Sequence, residues 1–216
     1  LSEKISIHLA ANTLAKEFGI KIIINTGEGG PLPWETYGKK EHRDKLTAEE
    51  LRRVYAQAEQ LLADNGIGFD NGIEKQNFMG LLFEREYYLA VQLASGRFIP
   101  DPNVLKNADL IEVKIGQEAK CGLGGQVSGE KIRKGIDYTR GIPTSKPAIS
   151  PSRHLHLLGP ENLYQNDNEL RHLTQGRTPN IVKIAASRAY YDTLIAIKAG
   201  ADAIAIDGKP ASTGNG

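Results

Sequence analysis

Apolar and polar residues follow two periods along the chain, one typical of strands and one typical of helices. Short apolar runs predict strands at residues 20–24, 87–94, 110–115, 181–185 and 203–206. Stretches with helical spacing lie between these runs, and the clearest one follows Thr47-Ala-Glu-Glu50, which is a capping box. Because strands that alternate with helices indicate a parallel sheet, we predict an α/β fold with about five strands.

The other helices are predicted from the residues at their ends. Ser2 is expected to be the N-cap of a first helix that reaches Phe18 and stops at Gly19. Further helices are predicted at residues 103–107, 161–174 and 188–199. The run at 20–24 is predicted to be a fully buried strand. Residues 31–46 and 116–148 are predicted to be loops. The pattern at residues 81–86 fits a helix or a strand.

Polar motifs follow the predicted strands at the point where each strand ends. Asn25-Thr-Gly-Glu-Gly-Gly30 follows the first strand, and Asp207-Gly208 ends the last. The carboxyl ends of parallel strands meet at one edge of the sheet, where ligands bind, so a site is expected there. Glu28 is the unusual member, because a carboxylate among turn glycines does more than form a turn.

The longest polar segment begins at Lys114 and ends at Gln126. It carries two further spaced polar side chains, Gln117 and Lys120, among glycines that let backbone amides approach an anion. Lysines there can hold negative groups, and glutamines supply donors and acceptors. A solvated surface loop with scattered lysines explains the same pattern, and spacing by itself does not separate the two interpretations.

Composition excludes several classes of function. The chain has 27 basic and 26 acidic residues, a net charge of +1, which does not suggest binding to nucleic acid. Its one cysteine, Cys121, excludes an internal disulfide framework, and we predict no metal site. No apolar run is long enough to cross a membrane and no signal peptide is seen, so a cytoplasmic location is expected.

The Lys114–Gln126 segment, continued by Gly129-Glu-Lys131, closely resembles the signature of the FMN-binding synthase domain of glutamate synthase. The resemblance is greatest to the stand-alone archaeal and methylotroph branch. It recurs in order along the chain, in the motifs Asn25-Thr-Gly-Glu-Gly-Gly30, Ala94-Ser-Gly-Arg-Phe98, Ser150-Pro-Ser-Arg-His-Leu155, Gly159-Pro-Glu-Asn-Leu163 and Lys198-Ala-Gly-Ala-Asp202. Several motifs in one order are far more specific than any one of them.

The resemblance implies a parallel (β/α)8 TIM barrel of the FMN-binding type, present over residues 1–216 as one partial domain that starts after the first strand and ends near the sixth. It implies that reduced FMN delivers hydride to 2-iminoglutarate, formed from 2-oxoglutarate and ammonia, to give glutamate. The implied partners are a glutaminase subunit or domain that supplies ammonia and an electron-donor subunit. The alternatives are an N-methylglutamate synthase-type subunit and a flavin-free scaffold subunit derived from the same barrel.

The resemblance also implies roles for single residues. Glu28 and Lys120 match positions that act in catalysis, with Glu28 handling protons. The positions that surround the 2-oxoglutarate and flavin pocket are matched by Gln117, Gln126 and Arg140. Flavin contacts are implied for Ser95, Arg97, Lys114, Lys183, Gly208, Thr213 and Gly214.

Each of these residues also has a structural interpretation. Arg140 fits an exposed loop arginine, Lys183 fits a partner of a structural carboxylate, and Glu28 fits a helix cap. Their occurrence together in the order of the family favours the functional roles of Lys114, Gln117, Lys120 and Arg140, and it leaves both interpretations of Ser95 open.

The chain also departs from the family pattern. Ala211-Ser-Thr-Gly214 stands where the family has a phosphate-binding Gly-Gly-Thr-Gly, so side chains occupy positions where amides approach phosphate. His156 replaces an aspartate and Cys121 a proline. The family's three iron–sulfur cysteines follow the end of this chain, so a cluster is expected only through residues outside it.

Overall fold

The computed structural model describes residues 1–96, 98, 101–118, 123–132 and 136–208, without the side chains of Ser2 and Ile136. Its main sheet has five parallel strands: β1 (Ile23–Asn25), β2 (Tyr88–Leu93), β3 (Leu110–Lys114), β6 (Asn180–Ala185) and β7 (Ala203–Asp207). A separate antiparallel pair is formed by β4 (Gln126–Val127) and β5 (Ala148–Ile149).

The strands of the main sheet are arranged in the order in which they occur in the sequence, β1-β2-β3-β6-β7. Strands β4 and β5 belong to the separate pair. The sheet curls into a half-barrel whose strands are connected through helices, which confirms the predicted incomplete α/β TIM barrel. This order places the carboxyl ends of all five strands at one edge.

The helices vary widely in length. They are α1 (Ser2–Phe18), α2 (Pro33–Thr36), α3 (Lys40–Arg43), α4 (Ala48–Asp64), α5 (Gly72–Leu82), α6 (Pro102–Lys106), α7 (Ile136–Arg140), α8 (Pro160–Thr174) and α9 (Ala189–Lys198). Short 3-10 turns occur at Gly27–Gly29, Gly129–Lys131 and Ala186–Arg188. In the described part of the chain, no helix has both the length and the apolar character that spanning a membrane requires.

The residues predicted to begin or end α1 and α4 are confirmed, with the exception of Ser2. The capping box is confirmed, because Thr47 Oγ1 accepts from the Glu50 amide at 3.2 Å and Glu50 Oε2 accepts from the Thr47 amide at 2.7 Å. Gly19 ends α1 in the left-handed region, with φ 64°. The prediction for Ser2 is wrong: α1 already includes Ser2, and Leu1 occupies the cap without a side-chain hydrogen bond.

The core lies between the sheet and the outer helices. Side chains of the central strands pack against α8 and α9, with Ile111, Val182 and Ile184 at most 3% exposed. Lys183 points to the opposite face, as its position between two buried residues predicts. Burying the apolar side of the sheet under helices therefore leaves the other side for polar groups.

Two predictions about the first third of the chain are wrong. Residues 31–46 were predicted to be a loop, yet they contain α2 and α3 and carry Trp34, which is fully buried beside Leu62 and Phe83. Single helical turns are too short to show a period, so the pattern missed them. The strand predicted at 20–24 is β1, and it is not fully buried because Ile23 is 59% exposed.

Candidate functional site

Polar side chains occupy the face of the sheet that is turned away from the helices. Neighbouring strands are paired in parallel register, with Lys114 opposite Lys183 and Gln92 opposite Glu112. Register partners in a parallel sheet point to the same side, so these side chains share one face. Gln92 Nε2 donates to Glu112 Oε1 at 2.5 Å, below the two lysines. The candidate site lies at the carboxyl end of this face.

The turn after β1 carries the first site residue. The Gly27 amide donates to Asn25 Oδ1 at 2.8 Å, which closes the turn around Glu28. Gly30 has φ 68°, and a Cβ there would lie 2.8 Å from the Thr139 carbonyl oxygen. Only glycine fits this conformation and this contact, so Gly30 brings the turn against α7.

Glu28 is the centre of a hydrogen-bonded cluster. Lys114 Nζ donates to Glu28 Oε1 at 2.7 Å and to Gln117 Oε1 at 2.8 Å. Ser150 Oγ donates to Glu28 Oε2 at 2.9 Å. The side chains of Glu28 and Lys114 are 12% and 11% exposed, so the ion pair is shielded from most solvent. Three separate segments of the chain thus meet at one carboxylate.

The surroundings keep Glu28 ionised. Burial alone would raise the pKa of its carboxyl group, but the hydrogen bond and charge of Lys114, the Ser150 hydroxyl and the charge of Arg140 outweigh that effect and lower it. An ionised carboxylate accepts a proton rather than donating one. Glu28 is therefore present as a carboxylate that can hold a cation and accept a proton from a strongly acidic group, although the lowered pKa makes it a weaker base than an ordinary glutamate.

Two glycines bring the long loop against this cluster. A Cβ on Gly125 would lie 2.3 Å from Glu28 Oε2, and one on Gly124 would lie 1.9 Å from the Ser150 carbonyl oxygen. The Ser150 amide donates to the Gly125 carbonyl at 2.8 Å. The glycines are required here for close approach, because any side chain would occupy space that the cluster fills.

Arg140 lies close enough to interact with Glu28. Its guanidinium group stacks on the Phe98 ring, with Cζ 4.8 Å from the ring centre. Its Nε and Nη1 atoms are buried and have no hydrogen-bond partner among the described residues. Burial lowers the pKa of Arg140, and Glu28 opposes that effect. A cation with free donors beside a polar cluster can bind an anionic group.

A second ion pair lies at the ends of β6 and β7. Lys183 Nζ is 3.1 Å from Asp207 Oδ2, and the two side chains are 23% and 9% exposed. The structural role considered for Lys183, pairing with a carboxylate, is therefore present. Lys183 nevertheless lies beside Lys114 in register, so it remains at the edge where the site was expected.

The other predicted site residues are spread more widely. Ser95 Oγ donates to the Pro151 carbonyl at 2.6 Å, so it holds the segment that carries Ser150. Gln126 is exposed in β4, and Gly208 is half-buried after β7. The predictions for Arg97, Lys120, Thr213 and Gly214 lie outside the described residues, as does the Ala211-Ser212 substitution.

Three residues at this edge, Ser150, His154 and Asp207, are not among the predicted site residues. Ser150 and Asp207 each contact a predicted site residue, and His154 Nε2 donates to the Lys114 carbonyl oxygen at 2.7 Å. Ser150 and His154 belong to a motif that carried the family resemblance, which was the available signal. For Asp207 the signal was its position at a strand end before glycine.

Comparisons with known proteins agree with the resemblance. The Rhizobium meliloti (strain 1021) glutamate synthase large subunit-like protein is 39% identical over 125 residues, which is 58% of this chain and 28% of that protein. The archaeal glutamate synthase (NADPH) of Methanocaldococcus jannaschii is 40% identical over 128 residues, 59% of this chain and 25% of that protein. The aligned part of the chain thus spans about a quarter of these relatives.

A more distant relative is the chloroplastic ferredoxin-dependent glutamate synthase of Spinacia oleracea, 35% identical over 123 residues, which cover 57% of this chain and 8% of that protein. The family described as "Conserved region in glutamate synthase" matches residues 1–216, which is the whole chain. The chain therefore belongs to the glutamate synthase family.

Proposed function

We propose that the protein is an FMN-dependent oxidoreductase of the glutamate synthase type, which reductively aminates 2-oxoglutarate to glutamate. Family membership and the names of the relatives support an oxidoreductase of this type. The observation that carries the proposal is the cluster of Glu28, Lys114 and Gln117 beside Arg140 at the carboxyl ends of the strands. It combines a base, cations and amides where a parallel barrel binds its ligands.

The residues at this edge fit a flavin. Lys114 and Lys183 supply two positive charges on one face, and Asp207 Oδ1 is buried with no hydrogen-bond partner in the described chain. Such a set offers charge for the electron-rich end of the ring and an acceptor for an N–H group. When bound, FMN would supply the hydride. Gly208 precedes Ala211-Ser-Thr-Gly214 in the sequence, the segment that stands where the family binds the phosphate group.

Arg140 and Glu28 fit the substrate side of the reaction. Arg140 Nε and Nη1 are buried donors without a partner in the described part of the chain, and each can donate a hydrogen bond to a carboxylate oxygen of the keto acid. Glu28 is ionised beside it, so its negative charge can hold the nitrogen that becomes cationic when ammonia attacks the keto carbon, and its carboxylate can accept a proton from that nitrogen. The half-buried position of both groups limits access of water to the reacting atoms.

The proposal is tested on purified full-length protein. We expect a flavin absorbance spectrum, or its appearance when FMN is added, and formation of glutamate from 2-oxoglutarate, ammonia and a reductant. A protein that stays colourless after addition of FMN would contradict the proposal, and copurification of a partner would then favour a scaffold role. Methylamine in place of ammonia distinguishes the N-methylglutamate synthase alternative, because the product would then be N-methylglutamate.

Replacing Arg140 by lysine should weaken binding of the keto acid. Lysine keeps the charge but loses the fixed donors of the planar guanidinium group, and one charged hydrogen bond contributes about 1.5–3 kcal/mol. We therefore expect the KM for 2-oxoglutarate to rise about 10- to 100-fold with little change in kcat. Arg53→Lys, on the exposed surface of α4, is the matched control. An unchanged KM in Arg140→Lys would remove this residue from the substrate site.

A further inference from the structure

Four charged side chains form a row across the carboxyl edge of the sheet. Lys114 and Lys183 lie side by side in register on β3 and β6, and each is paired with a carboxylate on its outer side. Glu28 pairs with Lys114 at 2.7 Å, and Asp207 pairs with Lys183 at 3.1 Å. The order along the edge is therefore negative, positive, positive, negative.

The two carboxylates differ in how their oxygens are used. Both oxygens of Glu28 accept hydrogen bonds, one from Lys114 and the other from Ser150. Asp207 uses Oδ2 for Lys183, whereas Oδ1 is buried without a hydrogen-bond partner among the described residues. The Asp207 side chain is only 9% exposed, so solvent water has little access to Oδ1 as a hydrogen-bond donor. A buried carboxylate oxygen without a donor is costly and indicates a ligand that supplies one.

From this geometry we infer that Asp207 is a positioning residue for a flavin bound at the edge. It holds Lys183 Nζ, offsets part of the positive charge that Lys183 presents to the ring, and accepts a hydrogen bond from the ring through Oδ1. The inference rests on the proposed function and adds to it, because Asp207 opposes the lysines instead of assisting them.

The consequence concerns the relative stability of the two redox states of the flavin. Reduction adds negative charge to the ring, and a nearby carboxylate disfavours added negative charge in a site of low dielectric. Asp207 therefore shifts the bound flavin toward the oxidised state, while Lys114 and Lys183 act in the opposite direction. Removing the charge of Asp207 while keeping its shape isolates this contribution.

The test uses the full-length protein reconstituted with FMN and measures the midpoint potential of the bound flavin. We expect Asp207→Asn to increase the preference for reduced over oxidised FMN about tenfold, which for a two-electron couple raises the potential by about 30 mV. Asp207→Glu keeps the charge and should stay close to the wild type. Asp64→Asn, at the exposed end of α4, removes a charge elsewhere and should change nothing.

The measured potentials and the retention of FMN decide whether Asp207 has this role. An unchanged or lowered potential in Asp207→Asn overturns the role of Asp207 while leaving the flavin enzyme in place. If Asp207→Asn does not retain FMN, the potential is measured in Asp207→Ser, for which we expect the same increase. If both variants lose FMN and Asp207→Glu retains it, the carboxylate is needed for binding FMN, and the inferred effect on the potential is overturned. A wild-type protein that takes up no FMN overturns the proposed function and this inference together.

Discussion

Gly125→Ala should nearly abolish turnover in a protein that still folds. The added Cβ would lie 2.3 Å from Glu28 Oε2 and 2.8 Å from Glu28 Cδ, so the carboxylate must move away from Lys114 and Ser150. General base catalysis contributes about 10²- to 10⁴-fold, and we expect kcat to fall within that range. The measurement is the rate of glutamate formation, with far-UV circular dichroism to show that the fold persists.

Gly124→Ala is the matched control, with a different expected result. Its Cβ would lie 1.9 Å from the Ser150 carbonyl oxygen and 2.5 Å from that of Pro151, and both are backbone atoms. A flexible carboxylate can turn away, whereas a backbone cannot, so Gly124→Ala should lower the free energy of unfolding by about 1–3 kcal/mol or more. Wild-type turnover in Gly125→Ala would show that the observed position of Glu28 does not matter for the reaction.

Acid should destabilise the protein through a buried histidine on α1. His8 is fully buried, with Nε2 donating to the Leu82 carbonyl at 2.9 Å and Nδ1 accepting from the Tyr87 hydroxyl at 2.9 Å. Burial lowers the pKa of His8 from 6.5 to about 4; the hydrogen bond to Leu82 opposes this, and the charge of Arg85 adds to it. Both ring nitrogens already have partners in the neutral form, so a second proton, on Nδ1, would require the Tyr87 hydroxyl to turn and accept instead of donate.

Protonation of His8 favours the unfolded chain at low pH. The unfolded chain binds a proton at His8 near pH 6.5, whereas the folded chain does so only near pH 4, so the stability present above pH 6.5 is lost as the pH falls toward 4. At about 1.4 kcal/mol per pKa unit, the full loss in the free energy of unfolding is about 3 kcal/mol. His42, whose pKa burial also lowers to about 4, adds to the same trend.

Urea unfolding at about pH 7 and about pH 5 checks this prediction. The difference in the free energy of unfolding between the two pH values should be smaller in His8→Gln than in the wild type, because glutamine does not titrate. His172→Gln, on the exposed side of α8, should leave that difference unchanged. An equal pH dependence in His8→Gln and the wild type would show that His8 does not carry the effect.

Much of the candidate site was predictable because it depends on local pattern. Strand ends followed by glycine turns located Glu28, Lys114 and the long loop at one edge of a parallel sheet, and the structure brings Glu28, Lys114, Gln117 and Arg140 together there. The partners of these residues were not predictable. Glu28 and Lys114 are 86 positions apart, and nothing in the pattern of either segment specifies the contact.

The sequence by itself determined the alternation of strands and helices, the ends of α1 and α4, and the edge at which polar residues gather, because these depend on period and capping within a few residues. Tertiary structure alone decided that each strand-end lysine is paired with a carboxylate, that Ser150 and Gly125 enclose Glu28, and that residues 31–46 carry a buried tryptophan. These features arise where distant segments meet, and the energy of an ion pair or a buried ring depends on neighbours that only the folded sheet brings together.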